Sequence, residues 1–239
     1  MLSAEVVPGL PELTEGDDLA GLIAPHVREN DVVVIAHKVV SKIESRVVRL
    51  YDVQLDKRSE EMAARHGKDP AHMQAILDET AEIVRERPGV LICRTHHGFV
   101  CANAGVDLSN APEGCAVLLP KDPDASARRI RQQLGKRCAV VISDSFGRAW
   151  RVGQTDIAIG TAGLLPLDDW RGKPDAHGRE MSATLIAVAD EAAAAADLVR
   201  KKDAGEPVVL LRGLQRYITD DDGPGAAALL RDRSEDLFL

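Results

Sequence analysis

The segment Val140-Val141-Ile142-Ser143-Asp144-Ser145-Phe146-Gly147-Arg148 runs from a β-branched stretch into a carboxylate flanked by hydroxyls. A buried strand that delivers Asp144 and Ser145 at its C-terminal end suits a hard divalent cation and the phosphates it carries. Asp and Ser also cap helices and turns, so the spacing alone leaves both roles open. A second segment, Asn103-Ala104-Gly105-Val106-Asp107-Leu108-Ser109-Asn110, follows a predicted strand. Asp107 is a candidate second carboxylate for the same cation, and Asn110 is a candidate contact to a sugar, base or phosphate. An Asx-rich turn accounts for the same composition.

The third segment is Ala36-His37-Lys38-Val39-Val40-Ser41-Lys42-Ile43-Glu44. Lys38 and Lys42 share a face whether the segment is helical or extended. Two cations after a buried strand in an acidic chain suggest a phosphate site. In the fourth segment, residues 148–160, Arg148 and Arg151 are candidates to clamp a phosphate or carboxylate, a task that the planar guanidinium performs well. A surface loop with ordinary ion pairs reads the same way. His96 and His97 are adjacent on an extended stretch and point to opposite faces, so they are assigned to structure.

What is missing narrows the chemistry. No GxxxxGK(S/T), no GxGxxG after a strand and no GxSxG occurs in the chain, so any nucleotide is held by another scheme. The net charge of −8 and the 3% aromatic content oppose binding to nucleic acid or an anionic membrane. No apolar run approaches the length of a membrane span. The four cysteines, Cys93, Cys101, Cys115 and Cys138, lack metal-site spacing and read as small buried residues of a reducing cytosol. A soluble, cytoplasmic protein is expected.

Several elements must position these groups. Strands are predicted near 4–7, 32–36, 90–93, 99–102, 116–119, 138–143, 182–188 and 208–211. Helices are predicted from Thr14, over 59–86 with a break near 67–70, over 125–134 behind Asp124 as N-cap, and over 190–201. Strands follow one another too irregularly for a doubly wound sheet. The fold expected is α+β, a mixed architecture of two lobes, about 1–85 plus 180–239 and about 86–179, in one domain over 1–239.

Taken in order, these segments resemble the coenzyme F420-0:L-glutamate ligases (F420 γ-glutamyl ligases). The resemblance rests on Gly9-Leu10-Pro11-Glu12-Leu13, Glu15-Gly16-Asp17-Asp18-Leu19, Val39-Val40-Ser41-Lys42, and Asn103-Ala104-Gly105-Val106-Asp107 with Ser109-Asn110. It continues through Leu119-Pro120 with Asp122-Pro123-Asp124, Ser143 to Arg148, Val188 to Ala193, and Val209 to Gly213. Each piece is weak, but their order and spacing are specific.

The resemblance implies a GTP-dependent ligase. It would add L-glutamate to a phospholactyl deazaflavin, coenzyme F420-0, and in some members further γ-linked glutamates. The products would be GDP and phosphate. It implies a two-lobed α+β homodimer without a P-loop, here in the stand-alone form, with two Mg or Mn ions and potassium as cofactors. Asp107, Asp144 and Ser145 match the metal ligands, Ser145 standing where many members have Thr. Leu10, Pro11, Glu12, Leu13, Lys42 and Asn110 match guanine-nucleotide contacts. His37 and Lys38 stand where others often carry a small hydroxyl residue and are grouped with the nucleotide positions. Lys42, Arg148 and Arg151 are assigned to offsetting or holding substrate charge. The alternatives are a carboxylate–amine ligase with another acceptor or nucleotide, and a non-catalytic deazaflavin or nucleotide carrier.

Overall fold

The computed structural model of the chain describes residues 1–237. Strand β1 (Ser3–Val6) leads through the Pro8–Pro11 loop to the short helix α1 (Leu19–Ile23). This helix starts later than expected because Thr14 closes a turn, its amide and hydroxyl donating to Asp17 Oδ2 at 2.7 and 3.1 Å. Asp18 is the N-cap instead. Strand β2 (Val32–Ala36) runs without a loop into α2 (His37–Ile43), so the basic segment is helical. After β3 (Val47–Arg49), α3 (Lys57–His66) opens with an Asp56–Ser59 capping box and ends at Gly67 with φ of 62°. Helix α4 (Pro70–Asp78) then starts behind Asp69 with proline in its first turn.

The expected helix does not reach residue 86. Residues Thr80–Arg87 form strand β4, joined by the Pro88-Gly89 turn to β5 (Val90–Thr95), which pairs with β6 (Val100–Ala102). The charges that read as helical sit on the edge of this three-stranded sheet, where they discourage further pairing. Next come β7 (Cys115–Val117) and α5 (Pro123–Leu134). Asp122, not Asp124, caps α5 by accepting from the Ala125 amide at 2.8 Å. Asp124 instead accepts from the amides of Thr161 and Ala226, at 2.7 and 2.8 Å.

Strands β8 (Ala139–Arg148) and β9 (Arg151–Ala162) make one long hairpin, so residues 151–160 are strand and not loop. Of the strand expected over 182–188, only β11 (Leu185–Ile186) is paired, with β10 (Asp168–Asp169). Helix α6 (Val188–Asp197) and β12 (Val208–Arg212) complete the order.

The main sheet has the order β1-β12-β2-β8-β9, with β2 and β8 parallel and the other pairs antiparallel. The expected α+β fold is what forms. Residues 32–35 and 139–142 are fully buried because helices cover both faces of this sheet. Val33, Ile35, Val140 and Ile142 pack toward residues of α1 and α5. Val32, Val34, Ala139 and Val141 pack toward Ala189, Ala192, Ala193 and Ala196 of α6, whose small side chains allow close approach. A separate core joins α3, α4 and β5 through Met62, Met73, Ile76 and Leu91. The main sheet draws β8 and β9 from the stretch 86–179 and β1, β2 and β12 from the rest of the chain. Among the described residues no helix is long and apolar enough to cross a membrane.

Candidate active site

Helix α2 brings two of the candidate carboxylates to its first turn. His37 is buried, with Nε2 at 3.3 Å from Asp144 Oδ1 and Nδ1 at 3.3 Å from Ser41 Oγ. The next residue, Lys38, donates from Nζ to Asp107 Oδ2 at 2.6 Å and to Ser109 Oγ at 2.6 Å. Neighbouring residues of one helix, fixed by the strand in front of it, thus hold carboxylates that lie far apart in the chain.

Asp107 reaches this place through tight backbone. Asn103, Ala104 and Gly105 all have positive φ, of 52°, 52° and 73°. A Cβ on Gly105 would come within 2.7 Å of Leu119, so both space and conformation ask for glycine there. Asp107 also accepts from the Ser109 amide at 2.7 Å and the Ser109 hydroxyl at 2.9 Å. Burial pushes the Asp107 carboxyl up, but the Lys38 ammonium and the Ser109 donors outweigh it and hold the group below its ordinary value.

Asp144 and Ser145 are consecutive on β8 and therefore face opposite sides of the hairpin. Asp144 shares its side with Ile142 and Phe146 of the α1–α5 core. Burial pushes the nearby Cys101 thiol up to about 12, and the Asp144 charge adds to that. The Ser145 amide donates to Asp144 Oδ1 at 2.8 Å. The Ser145 hydroxyl lies on the α6 side and donates to Asp156 Oδ1 at 2.6 Å. Lys202 Nζ donates to Ser145 Oγ at 2.9 Å and to Asp197 Oδ1 at 2.6 Å. Asp156 is buried, pairs with Arg200 and accepts from Ser143 Oγ at 2.8 Å.

The remaining sequence candidates fall into three places. Lys42, one turn along α2, pairs with Glu12, while Leu13 is buried in the main core and Pro11 is exposed beside them. Leu10 packs partly against the same core. Asn110 is exposed with φ of 55°, just beyond the Asp107 turn. Arg148 and Arg151 face each other at the exposed end of the β8–β9 hairpin, where Arg148 donates to the carbonyl of Val152 at 2.9 Å. Four residues of strand, about 13 Å, separate Arg148 from Asp144. His96 and His97 donate to different backbone carbonyls, Asp78 at 3.0 Å and Pro120 at 2.9 Å, in line with a structural role.

The cluster of Ser143, Asp156, Arg200 and Lys202 was not singled out from sequence. Its signal was the alternation of Thr155, Ile157 and Ile159 with Asp156 and Ala158, which marks a strand with a buried carboxylate on one face.

The donor set suits hard cations, since Asp107, Asp144 and Ser145 all offer oxygen. Among the described residues no three His, Cys, Asp or Glu side chains converge as a closed metal cage. An octahedral ion held by one or two carboxylates takes phosphate oxygens and water as its other ligands, so these residues fit Mg or Mn bound together with a phosphorylated substrate. The placement of Asp144 and Ser145 on opposite faces matches separate ligation better than one shared protein cage.

The model of the family described as F420-0:Gamma-glutamyl ligase matches residues 9–213. A coenzyme F420:L-glutamate ligase of Methanothermobacter thermautotrophicus is 43% identical over 97% of this chain and 96% of its own length. A protein of the same name from Methanopyrus kandleri is 43% identical over 99% and 97%. Another from Halorubrum lacusprofundi is 46% identical over 91% and 88%.

Proposed function

The chain belongs to the F420-0:gamma-glutamyl ligase family, and we propose that it joins L-glutamate to the carboxylate of coenzyme F420-0, using GTP. The observation that carries this reading is the pair of carboxylates, Asp107 and Asp144, held by consecutive residues of α2. A carrier of deazaflavin or nucleotide has no need of two such groups beside Lys38 and Lys42 of the same helix. The family description supplies F420-0, and the relatives' names supply coenzyme F420 and L-glutamate.

A carboxylate and an ammonium do not condense at neutral pH, because the carboxylate oxygen leaves poorly and the amine is protonated. Transfer of the γ-phosphoryl group of GTP to the F420-0 carboxylate makes an acyl phosphate and releases GDP. The free amine of glutamate attacks the acyl carbon, the C–O bond to phosphate breaks, and the amide forms as inorganic phosphate leaves. Catalysis of this kind is positioning and charge neutralisation. Asp107, Asp144 and Ser145 would hold Mg or Mn, which when bound offsets charge on the phosphoryl oxygens. Lys38 and Lys42 line α2 on the side of the two nucleotide-matching segments, with Lys42 tied to Glu12 and Lys38 donating to the carbonyl of Ser109, the residue before Asn110, at 3.1 Å. Arg148 and Arg151 would meet substrate phosphate or carboxylates at the mouth of the hairpin. Potassium and a homodimer belong to the same reading. Val152, 95% exposed at the hairpin tip, is an apolar position that a second copy would cover.

Mass spectrometry of the deazaflavin tests the reading. Incubation with F420-0, L-glutamate, GTP and Mn or Mg is expected to add one or more glutamyl units, and omission of GTP or metal to abolish the gain. A gain supported equally by ATP would replace the nucleotide assignment. No gain with folded protein would overturn the reaction.

A further inference from the structure

The α6 face of the β8–β9 hairpin carries two serines in matching surroundings. Ser143 Oγ accepts from Arg200 Nη2 at 3.0 Å and donates to Asp156 Oδ2 at 2.8 Å. Ser145 Oγ accepts from Lys202 Nζ at 2.9 Å and donates to Asp156 Oδ1 at 2.6 Å. Each hydroxyl therefore receives a cation on a lone pair and gives its single proton to the same carboxylate. The two copies differ in access. The Arg200 side chain is 6% exposed and Asp156 4%, whereas Lys202 is 68% exposed. The Ser143 side is a closed ion pair inside the protein. The Ser145 side opens to solvent, and its cation is a flexible side chain on a loop.

We propose that Asp156 is a positioning residue for the Ser145 hydroxyl. By taking the Ser145 proton on Oδ1, it turns the oxygen lone pairs outward, to the side now marked by the Lys202 ammonium. Arg200 and Ser143 hold Oδ2, so the carboxylate cannot swing away from Ser145. A hydroxyl left free would spend part of its time donating toward an incoming cation, which repels that cation. One whose proton is committed presents only lone pairs. Ser145 Oγ would then be ready to hold a divalent cation on the side where Lys202 now donates, and the Lys202 ammonium would be available to offset phosphate charge. This inference rests on the reading of Ser145 as a metal ligand, and it adds Asp156, Arg200 and Lys202 to the machinery of that reading.

The test is the affinity of the full chain for Mn2+ with GTP present, read from the electron paramagnetic resonance signal of free Mn2+, and needs no turnover. Asp156→Asn is expected to weaken binding by roughly 10–100-fold, the usual effect of removing the group that orients a ligand. Ser145→Thr keeps the hydroxyl and is expected to bind as the parent does. In a Ser145→Ala background, Asp156→Asn should cost almost nothing further, because its effect runs through the hydroxyl. A purely structural Asp156 would weaken both backgrounds alike, and that result would overturn the proposal. Should Asp156→Asn fail to fold, Asp156→Glu keeps the charge facing Arg200 while displacing the acceptor, and the same pair of backgrounds decides. Ser145→Ala separates the two levels of the argument. If it leaves Mn2+ binding intact, the reading of Ser145 as a metal ligand falls. If it weakens binding while the Asp156 variants do not, only the positioning role falls.

Discussion

Replacing Gly160 with alanine should destabilise the protein through one identifiable clash. Gly160 lies on β9 opposite Ile142 and is buried under the first turn of α5. A Cβ there would stand 2.4 Å from the Pro123 carbonyl oxygen, 2.5 Å from its carbon and 2.7 Å from its Cβ, where ordinary contact begins at 3.4 Å. Helix and hairpin must therefore separate by about 1 Å, in an interior packed too tightly to absorb it. Overpacking of this kind costs about 1–3 kcal/mol. At this chain length each kcal/mol lowers Tm by roughly 2–4 °C, so a fall of about 2–12 °C is expected. The backbone of Gly160 is not in the left-handed region, so the loss would come from space alone. Gly147→Ala on the same hairpin is the control, with open space around it and no positive φ, and is expected to stay within about 0.5 kcal/mol of the parent. Paired thermal melts decide. Equal Tm values for the parent and Gly160→Ala would refute the packing argument.

Truncating Ile142, fully buried in the central strand, to alanine should cost about 2–5 kcal/mol in urea unfolding with little change in slope. The depressed Asp107 carboxyl contributes stability that is complete above its unfolded value near 3.9 and is lost as pH falls through its lower folded value. Lys38→Gln should raise the Asp107 titration seen by carboxyl carbon NMR and move that loss to higher pH. Burial pushes Cys101 up to about 12 and Cys138 up to about 11, so both should resist iodoacetamide at pH 8, leaving the partly exposed Cys115 to react first. Asp144→Asn is expected to abolish metal-dependent glutamyl transfer, and normal turnover in that variant would remove Asp144 from the site.

The legible part of the fold was its centre. Residues 32–36 and 138–143 are continuous β-branched runs, and a strand buried on both faces reads that way whatever its partners. The α5 helix was visible through its apolar spacing, but two acidic candidates stood side by side, and only the structure shows that Asp122 caps while Asp124 serves other amides. Residues 80–87 were misread because Glu and Arg favour helices in isolation, whereas pairing across the Pro88-Gly89 turn decides for a strand. Within the site, Lys38 and Asp107 announced themselves by following strands, and Asp144 by following a β-branched run, although β8 continues past it to Arg148. The role of His37 as the neighbour of Asp144 did not, since it depends on a parallel strand pair bringing residues 37 and 144 together. Asp156 stayed hidden because a carboxylate in the middle of a strand is noticed only once its buried partner, Arg200, is known.

The placement of β12 between β1 and β2 sets the order in which the molecule can be made. Val6 and Val209 are paired neighbours more than two hundred residues apart in the chain. On the ribosome β1 and one edge of β2 must wait for β12, and until it arrives the Val32–Ala36 strand shows an unpaired apolar edge. Such long-range closure is slow and leaves nascent chains open to aggregation. Slower elongation or lower temperature during expression should therefore raise the folded yield of this protein more than it does for a helical bundle of the same size.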